Sequence, residues 1–434
     1  MRPVVPEPGL EPPLAAAGAT SEPLDDIGPA TPSSRRVLGL DVARAVAILG
    51  MLLAHYPILD GTGGPLRGIA RFVDGKAMPL FLLLAGCGVT LLVRRHPHPA
   101  RALLGRAGVL LVVGLVLHEH IPHIAVVLHF YAAYLVAALL VHRLPSGWLL
   151  AVAGAVTVAG ALTWLHLTPD LAPYGGWQGW ATLRDPVPLV NHLLVTGTYP
   201  VLPSFAFVAV GMVVARADLT SPLARRRLLA GGAALAVLGY GVGGLLSRAV
   251  GDDGRIADGR PTASALAELD RAFGLSGAEV ESRIEAAAAR TGSSLHRATD
   301  DLVRSLERAT GDVRAERLLD PVGHGNMPAW VLGATGTSLM AVAVSLAASR
   351  RWPRATHPLS MAGQCALSFY VGHAVVLRWW WHPDVQPALG YTAELAWSVV
   401  VFAVFVGGAT LWRHWFARGP LEALLRLAGG PSRF

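Results

Sequence analysis

The stretch LGLDVARAVAILGMLLAHYP covers residues 38–57, and its length and apolar character decide the fold. A helix of about 20 apolar residues is needed to cross a hydrocarbon core of roughly 30 Å. Backbone groups inside a bilayer must be satisfied within their own segment, so such a run predicts a transmembrane helix. Nine further apolar runs follow along the chain, at residues 77–94, 102–118, 123–142, 148–166, 193–215, 228–249, 329–349, 361–381 and 393–416. The sequence therefore predicts an all-α, polytopic integral membrane protein with about ten transmembrane helices.

The composition of the 434 residues supports a membrane protein. Hydrophobic residues make up 53% of the chain and charged residues only 15%, whereas soluble domains average roughly 25% charged residues. This composition excludes a disordered chain. A disulfide-rich secreted module is also excluded, because the only two cysteines, Cys87 and Cys365, lie inside apolar runs. The net charge of +7 comes largely from arginines in short loops, which indicates membrane orientation rather than nucleic-acid binding.

The apolar runs divide the chain into five segments. Residues 1–36 contain eight prolines and no apolar stretch, which predicts a disordered cytoplasmic tail without a visible signal peptide. Residues 37–249 hold transmembrane helices one to seven, residues 328–418 hold helices eight to ten, and residues 419–434 form a C-terminal cytoplasmic tail. Residues 250–327 carry 14 acidic residues and 10 arginines and predict a small soluble helical insertion. The simplest interpretation of that insertion is a solvated hairpin without a function of its own.

The arginines are concentrated in alternate loops, and this asymmetry predicts the orientation. The loops around residues 94–106, 216–227 and 350–354 face the cytoplasm under the positive-inside rule, together with both termini. The insertion then lies on the extracytoplasmic side. Only one of the 36 basic residues is a lysine, which is typical of a GC-rich bacterial genome. We therefore expect a multi-pass protein of the bacterial cytoplasmic membrane.

Polar residues follow one stripe of the first apolar run. Asp41 and Arg44 are three residues apart and share a face, and His55 returns to nearly the same face further along the helix. A charge near the bilayer centre costs roughly 2.5–3.5 kcal/mol, so such groups usually face the interior of a helix bundle. The stripe predicts a functional ion pair and a functional imidazole. The alternative is an ion pair that anchors the helix at one interface, with His55 at the other.

The first apolar run resembles the first helix of the transmembrane acyltransferase superfamily. Its Arg-x10-His spacing, here Arg44 to His55, resembles the signature of the acyltransferase-3 branch. Further segments resemble the YeiB-like branch and bacterial proteins related to heparan-α-glucosaminide N-acetyltransferase, namely RFVDGKAMPLFLLLAGCGV at 71–89, TGTYPVLPSFAFVAVGMVVAR at 196–216, PLSMAGQCALSFYVGH at 358–373 and FARGPLEALLRLAG at 416–429. The resemblance covers residues 38–249 and 324–429 in the same order, with the insertion between them.

The resemblance implies an enzyme that moves an acyl group, acetyl above all, from cytoplasmic acyl-CoA to an extracytoplasmic sugar or glycan. Such a transfer needs a base or an acyl-accepting nucleophile, and imidazole suits either role. In the heparan acetyltransferase the proposed catalytic histidine lies beyond the first helix, whereas the 56–76 loop of this chain contains no histidine. His55 is therefore the candidate for this role, although many YeiB-like proteins have a non-basic residue at that position.

Charged residues at both ends of the second run complete the predicted site. Lys76 would stabilise an oxyanion or bind an anionic acceptor, and Asp74 would orient His55; the alternative is a snorkelling lysine paired with Asp74. Arg44, paired with Asp41, would contact the pantetheine arm or a pyrophosphate of acetyl-CoA or another acyl-CoA. Arginines of the next loop would bind the phosphates, unless they serve membrane orientation alone: Arg94, Arg95, Arg101 and Arg106.

Three more residues inside apolar runs are site candidates, and each also fits a packing role. His373 resembles a histidine often found in its segment of the family and ranks above His129 as a catalytic residue. Tyr199 is a candidate substrate contact, because the prolines that follow it break the helix. The stretch HEHIPH at 118–123 offers three histidines and a glutamate, but its spacing matches no strong metal motif, so no metal is expected.

Two other functions stay open from the sequence. About ten helices, one of them broken, with buried His, Asp and Arg also fit a secondary transporter or exporter, although no inverted repeat is visible. A structural or sensing protein would use the insertion at 250–327 to bind a partner. The lipid bilayer is an expected partner and nucleic acid is not. The oligomeric state stays open, with a dimer as one option.

Overall fold

The computed structural model describes residues 36–55, 73, 75–121, 126–167, 186–251, 256–257, 260–291, 298–299, 302–303, 306, 318–319, 321, 325–380 and 391–430. The described residues up to 251 are almost entirely helical. Their helices are α1 (Leu38–His55), α2 (Ala77–Arg95), α3 (Pro99–His120), α4 (Leu128–Val141), α5 (Ser146–Leu167), α6 (Pro186–Asn191), α7 (Val201–Val214), α8 (Pro222–Ala236) and α9 (Gly243–Gly251). Two π-helical turns, His192–Thr196 and Val237–Val242, precede α7 and α9.

The rest of the chain begins with two short strands and two helices of mixed polarity and returns to long apolar helices. Two-residue strands β1 (Ile256–Ala257) and β2 (Arg260–Pro261) pair antiparallel. The helices that follow are α10 (Ala263–Phe273), α11 (Gly277–Thr291), α12 (Pro328–Arg351), α13 (Pro353–Gln364), α14 (Ala366–Trp380), α15 (Tyr391–Trp415) and α16 (Pro420–Gly429). Apolar residues of α10 and α11, including Leu269, Val280 and Ile284, form a core of their own.

The described helices confirm a polytopic membrane protein. Seven of them are long and apolar enough to cross a membrane, and an eighth span results if α13 and α14, bent by 73°, count as one. The predicted runs at 123–142 and 193–215 yield α4 and α7, which have 14 residues each. At 1.5 Å per residue such a helix rises only about 21 Å, which is short of a full span.

Glycines let α2 and α7 pack in direct backbone contact. Gly86 of α2 lies against the carbonyl oxygen of Val208, and Gly211 of α7 lies against that of Leu83, so a Cβ atom at either glycine would collide with backbone. Small residues commonly join transmembrane helices in this way, because lipid provides no hydrophobic driving force for helix association. This contact fixes α2, which carries predicted site residues at both ends.

The first helix, α1, packs against the bent pair α13–α14. Gly363, one residue before the end of α13, lies against the backbone carbonyl of Asp41 in the first turn of α1. The chain leaves helical geometry at Cys365, and α14 then sets off at 73° to α13. This change of direction brings His373 of α14 to His55 at the end of α1.

Helix α15 exposes much of its apolar surface. Val404 is 70% exposed and Leu411 is 58% exposed. An outward apolar surface is expected where side chains meet acyl chains instead of water. The exposure of this helix therefore agrees with a position at the lipid boundary.

Replacing Gly211 by alanine is expected to destabilise the folded protein by about 1–3 kcal/mol, because the added Cβ meets the backbone of α2. Gly108→Ala in α3 is the matched control, since a Cβ there meets no atom within 4 Å. Thermal unfolding of both variants in lipid nanodiscs measures the difference. Equal unfolding midpoints for the two variants would contradict the close packing of α2 against α7.

Candidate active site

The first helix carries a buried ion pair. The Nη1 atom of Arg44 donates a hydrogen bond to Oδ1 of Asp41 at 2.6 Å, and the Asp41 side chain is 2% exposed against 26% for Arg44. The guanidinium of Arg44 also acts electrostatically on Cys87 of α2 and Tyr131 of α4. The predicted pair is therefore formed, and its arginine faces other helices of the bundle.

Two imidazoles meet at the other end of the same helix. Nδ1 of His55 and Nε2 of His373 are 3.3 Å apart, and their rings lie nearly parallel, with an angle of 8° between the planes and 5.6 Å between centroids. His373 is 1% exposed and His55 is partly buried. The structure thus brings together two predicted site residues that are 318 positions apart in the sequence.

The hydrogen bonds of this pair assign its tautomers. Nδ1 of His373 lies 3.3 Å from the carbonyl oxygen of Phe369, one turn earlier in α14. A carbonyl oxygen only accepts, so His373 Nδ1 carries the hydrogen and His373 Nε2 is the acceptor. His55 then donates from Nδ1, and its Nε2 atom bears the free lone pair. The arrangement can therefore remove a proton at His55 Nε2.

Aromatic side chains hold His373 in place. The Phe369 ring stacks on His373 with centroids 5.6 Å apart, and the Tyr370 ring meets it edge-on at 5.2 Å. The Tyr370 hydroxyl accepts a hydrogen bond of 3.0 Å from the backbone N–H of Val127, just before α4. Tyr370 therefore ties the helix of His373 to the start of α4.

Tyr131 interacts with residues of two other helices. Its phenol interacts electrostatically with both Arg44 and Tyr370. Tyr131 sits in α4, while Arg44 and Tyr370 sit in α1 and α14. Residues of three helices therefore take part in these interactions.

The predicted contact residue Tyr199 lies on the neighbouring side of α4. Tyr134 donates a hydrogen bond of 2.8 Å to the Tyr199 carbonyl oxygen, and the Phe130 ring meets the Tyr199 ring edge-on. Tyr199 is buried and interacts electrostatically with Tyr370. Tyr199 therefore packs against Phe130 and Tyr134 of α4.

A second histidine cluster joins three other segments. Nε2 of His129 and Nε2 of His192 are 3.3 Å apart, and the His118 ring lies 5.1 Å and 5.9 Å from their rings. The cluster fastens the π-helical turn of His192 to α3 and α4. Among the described residues, which leave out His123, no group of three or more His, Cys, Asp or Glu is arranged to hold a metal ion.

The lysine predicted to serve the site lies at the start of the second helix. Lys76 is the N-cap residue of α2, and its Nζ atom lies 5.0 Å from the centroid of the Tyr240 ring. Gly50 of α1 faces Ala77, so α2 begins beside the second half of α1. A cation–π contact of this kind holds the ammonium at the Tyr240 ring. Asp74 lies outside the described residues.

The arginines predicted to bind phosphate have different surroundings. Arg94 donates a hydrogen bond of 3.1 Å to the carbonyl oxygen of Ala215, at the end of α7, where a cation offsets the helix dipole. Arg95 and Arg101 are exposed. Arg106 is partly buried and lies beside the C-terminal helix α16. Arg94 therefore has a packing role, and its role in phosphate binding stays a prediction.

Sequence reasoning missed Tyr131, Tyr370 and His192. Tyr370 precedes His373 by three residues, a spacing that places both side chains on one helix face and offers a usable signal. Tyr131 and His192 carry no such local signal, because each reaches the site or the cluster through packing between helices.

Two family models match parts of the chain. Residues 36–240 match the model described as "Heparan-alpha-glucosaminide N-acetyltransferase, catalytic", and residues 323–429 match the model described as "Protein of unknown function (DUF418)". A search of curated proteins finds no match. His55 lies in the first matched segment and His373 in the second, so the imidazole pair joins the two.

Replacing Arg44 by methionine is expected to destabilise the folded protein by about 3 kcal/mol, because the buried Asp41 carboxylate loses its guanidinium. The double variant Asp41→Asn/Arg44→Met removes both charges and should recover most of this loss. Thermal unfolding in nanodiscs measures each variant against the parent. A double variant as unstable as Arg44→Met alone would rule out the ion pair as the source of the effect.

Proposed function

We propose that this chain, whose residues 36–240 match the catalytic model of heparan-α-glucosaminide N-acetyltransferase, is an acetyl-CoA-dependent membrane acetyltransferase. The donor is cytoplasmic acetyl-CoA, and the acceptor is an amine or hydroxyl of an extracytoplasmic sugar or glycan. The observation that carries the proposal is the contact of His55 with His373, which joins the two matched segments at one polar site.

His55 is the base in this proposal. The free lone pair on its Nε2 atom takes a proton from the acceptor, while Nδ1 keeps its hydrogen bond to His373. The hydrogen bond to His373 fixes the ring orientation and the tautomer of His55. His373 is itself fixed by its hydrogen bond to the carbonyl oxygen of Phe369. This chain of contacts resembles the way a third group orients the base in hydrolytic triads.

The transfer balances with these groups alone. The acceptor lone pair attacks the thioester carbon as His55 Nε2 takes the acceptor proton. The tetrahedral intermediate then collapses, the carbon–sulfur bond breaks, and the thiolate of CoA receives the proton from the imidazolium. The products are the acetylated acceptor and CoA thiol, and His55 returns to its starting tautomer.

The guanidinium groups would bind the donor. Arg44 is partly exposed and sits on the same helix as His55, so it suits an anionic or amide part of the CoA arm. Arg95 and Arg101 are exposed near the C-terminal end of α2, so they suit the phosphates of CoA. Arg106 is a further candidate for phosphate binding. Lys76 stays a candidate for oxyanion or acceptor binding, as does Tyr199 for the acceptor.

A transporter is the second candidate function. The 73° break between α13 and α14 favours it, because transporters often build their sites from discontinuous helices. In this chain, however, the break delivers an imidazole to a second imidazole, an arrangement that suits proton transfer to and from a reacting group.

The test is release of CoA thiol by the purified protein in lipid vesicles, with acetyl-CoA and amino-sugar acceptors such as glucosamine. His55→Ala should lower turnover by roughly 100- to 10,000-fold, the usual worth of a general base. His373→Leu should also lower turnover, whereas His373→Gln should retain more of it, since an amide oxygen can accept from His55.

His414→Ala is the matched control, because His414 is exposed at the end of α15. Its turnover should equal that of the parent protein. Full turnover in His55→Ala would remove His55 as the base. If the parent protein neither binds acetyl-CoA nor releases CoA, the transporter becomes the better-supported function.

A further inference from the structure

The helix that carries His373 begins at a break inside the bundle. The first N–H groups of any helix have no partner within it and need another acceptor. The helix before α14 cannot supply these acceptors, because α13 ends at an angle of 73° to α14. The structure must therefore supply acceptors from elsewhere.

The acceptors come from Glu422 of the C-terminal helix α16. Its Oε1 atom accepts hydrogen bonds from the backbone N–H of Leu367 at 2.7 Å and of Ser368 at 3.1 Å. Its Oε2 atom accepts from the hydroxyl of Ser368 at 2.5 Å. One carboxylate thus caps the first turn of α14 from another helix, where a negative charge also favours the helix dipole.

The cap is reciprocal. The Ser368 hydroxyl oxygen accepts a hydrogen bond of 3.1 Å from the backbone N–H of Leu421, in the first turn of α16. Each helix therefore satisfies an N–H group at the start of the other. The two helix starts are locked together by four hydrogen bonds, which fixes their relative direction.

The C-terminal helix is itself held by the rest of the bundle. The carbonyl oxygen of Ala428 lies against Gly105 of α3, so closely that a Cβ on this glycine would collide with it. Gly429 lies beside Arg106 of the same helix. The position of α16, and with it that of the Glu422 carboxylate, is therefore fixed by packing against α3.

We infer that Glu422 is a positioning residue for acetyl transfer, acting through the direction of α14 on the contact between His373 and His55. This inference rests on the proposed function. His373 lies seven residues after Ala366, or about 10 Å along the helix. A tilt of about 10° at the cap would displace the imidazole by about 2 Å, and misplacement of about 1 Å costs roughly 100-fold in rate.

The experiment compares Glu422→Ala, Glu422→Gln and Ser368→Ala with Leu427→Ala, a control on the same helix at a residue that is 78% exposed. Each variant is assayed in nanodiscs for turnover of acetyl-CoA, for its KM, and for hydrogen exchange of the backbone amides at the start of α14. We expect Glu422→Ala to lower turnover at least tenfold with KM within twofold of the parent. We expect Glu422→Gln to recover part of the loss, because its amide oxygen still accepts.

Hydrogen exchange separates the outcomes. Faster exchange at Leu367 and Ser368 in Glu422→Ala, together with the loss of turnover and its partial rescue, supports the inference. Unchanged exchange overturns the cap, and faster exchange with full turnover overturns the positioning role. Should Glu422→Ala not fold, Glu422→Gln and Ser368→Ala give the same readouts. A parent protein without turnover refutes the proposed function instead, while exchange still reports on the cap.

Discussion

The packing of α1 against the bent pair α13–α14 is the interaction on which the rest of the structure depends. Gly363 brings α13 onto the backbone of Asp41, and the break at Cys365 then directs α14 toward the far end of α1. Without that contact, His55 at the far end of α1 would lack its contact with His373. The same contact joins the two segments that match separate family models.

This junction gives the second matched segment a physical role. The first segment holds Arg44 and His55, but the tautomer that leaves a lone pair on His55 depends on His373 and on the carbonyl of Phe369. The second segment also contains Glu422, which caps the helix of His373. The proposed catalytic unit therefore takes residues from both matched segments.

The membrane fold was predictable because the length and polarity of an apolar run are local properties. Each of the ten runs contains a helix within the described residues, and the Asp41–Arg44 pair follows from helical spacing alone. The prolines after Tyr199 predicted the break before α7, whereas no local pattern predicted the shortness of α4 or the bend at Cys365. Gly363, beside that bend, packs against Asp41 of α1, a contact between residues far apart in the sequence.

The site was predictable only in part, for the same reason. Charged and imidazole side chains stand out in apolar runs, so the sequence predicted His55 and His373 as site residues. No pattern in the sequence showed that these two side chains contact each other. Tyr131 carries no local signal in the sequence, whereas Tyr370 lies three residues before His373 on the same helix face. Arg94 was predicted to bind phosphate, but its contact with the carbonyl of Ala215 depends on where α7 ends. Asp74 lies outside the described residues.

The most direct test of the central claim is a cryo-electron microscopy structure of the protein with acetyl-CoA in a lipid nanodisc. The account predicts that the thioester lies beside His55 Nε2, leaving room for an acceptor atom at about 3–3.5 Å from the thioester carbon. It also predicts the His55–His373 contact in that structure. A thioester bound away from His55, or imidazoles that do not meet, would contradict the account.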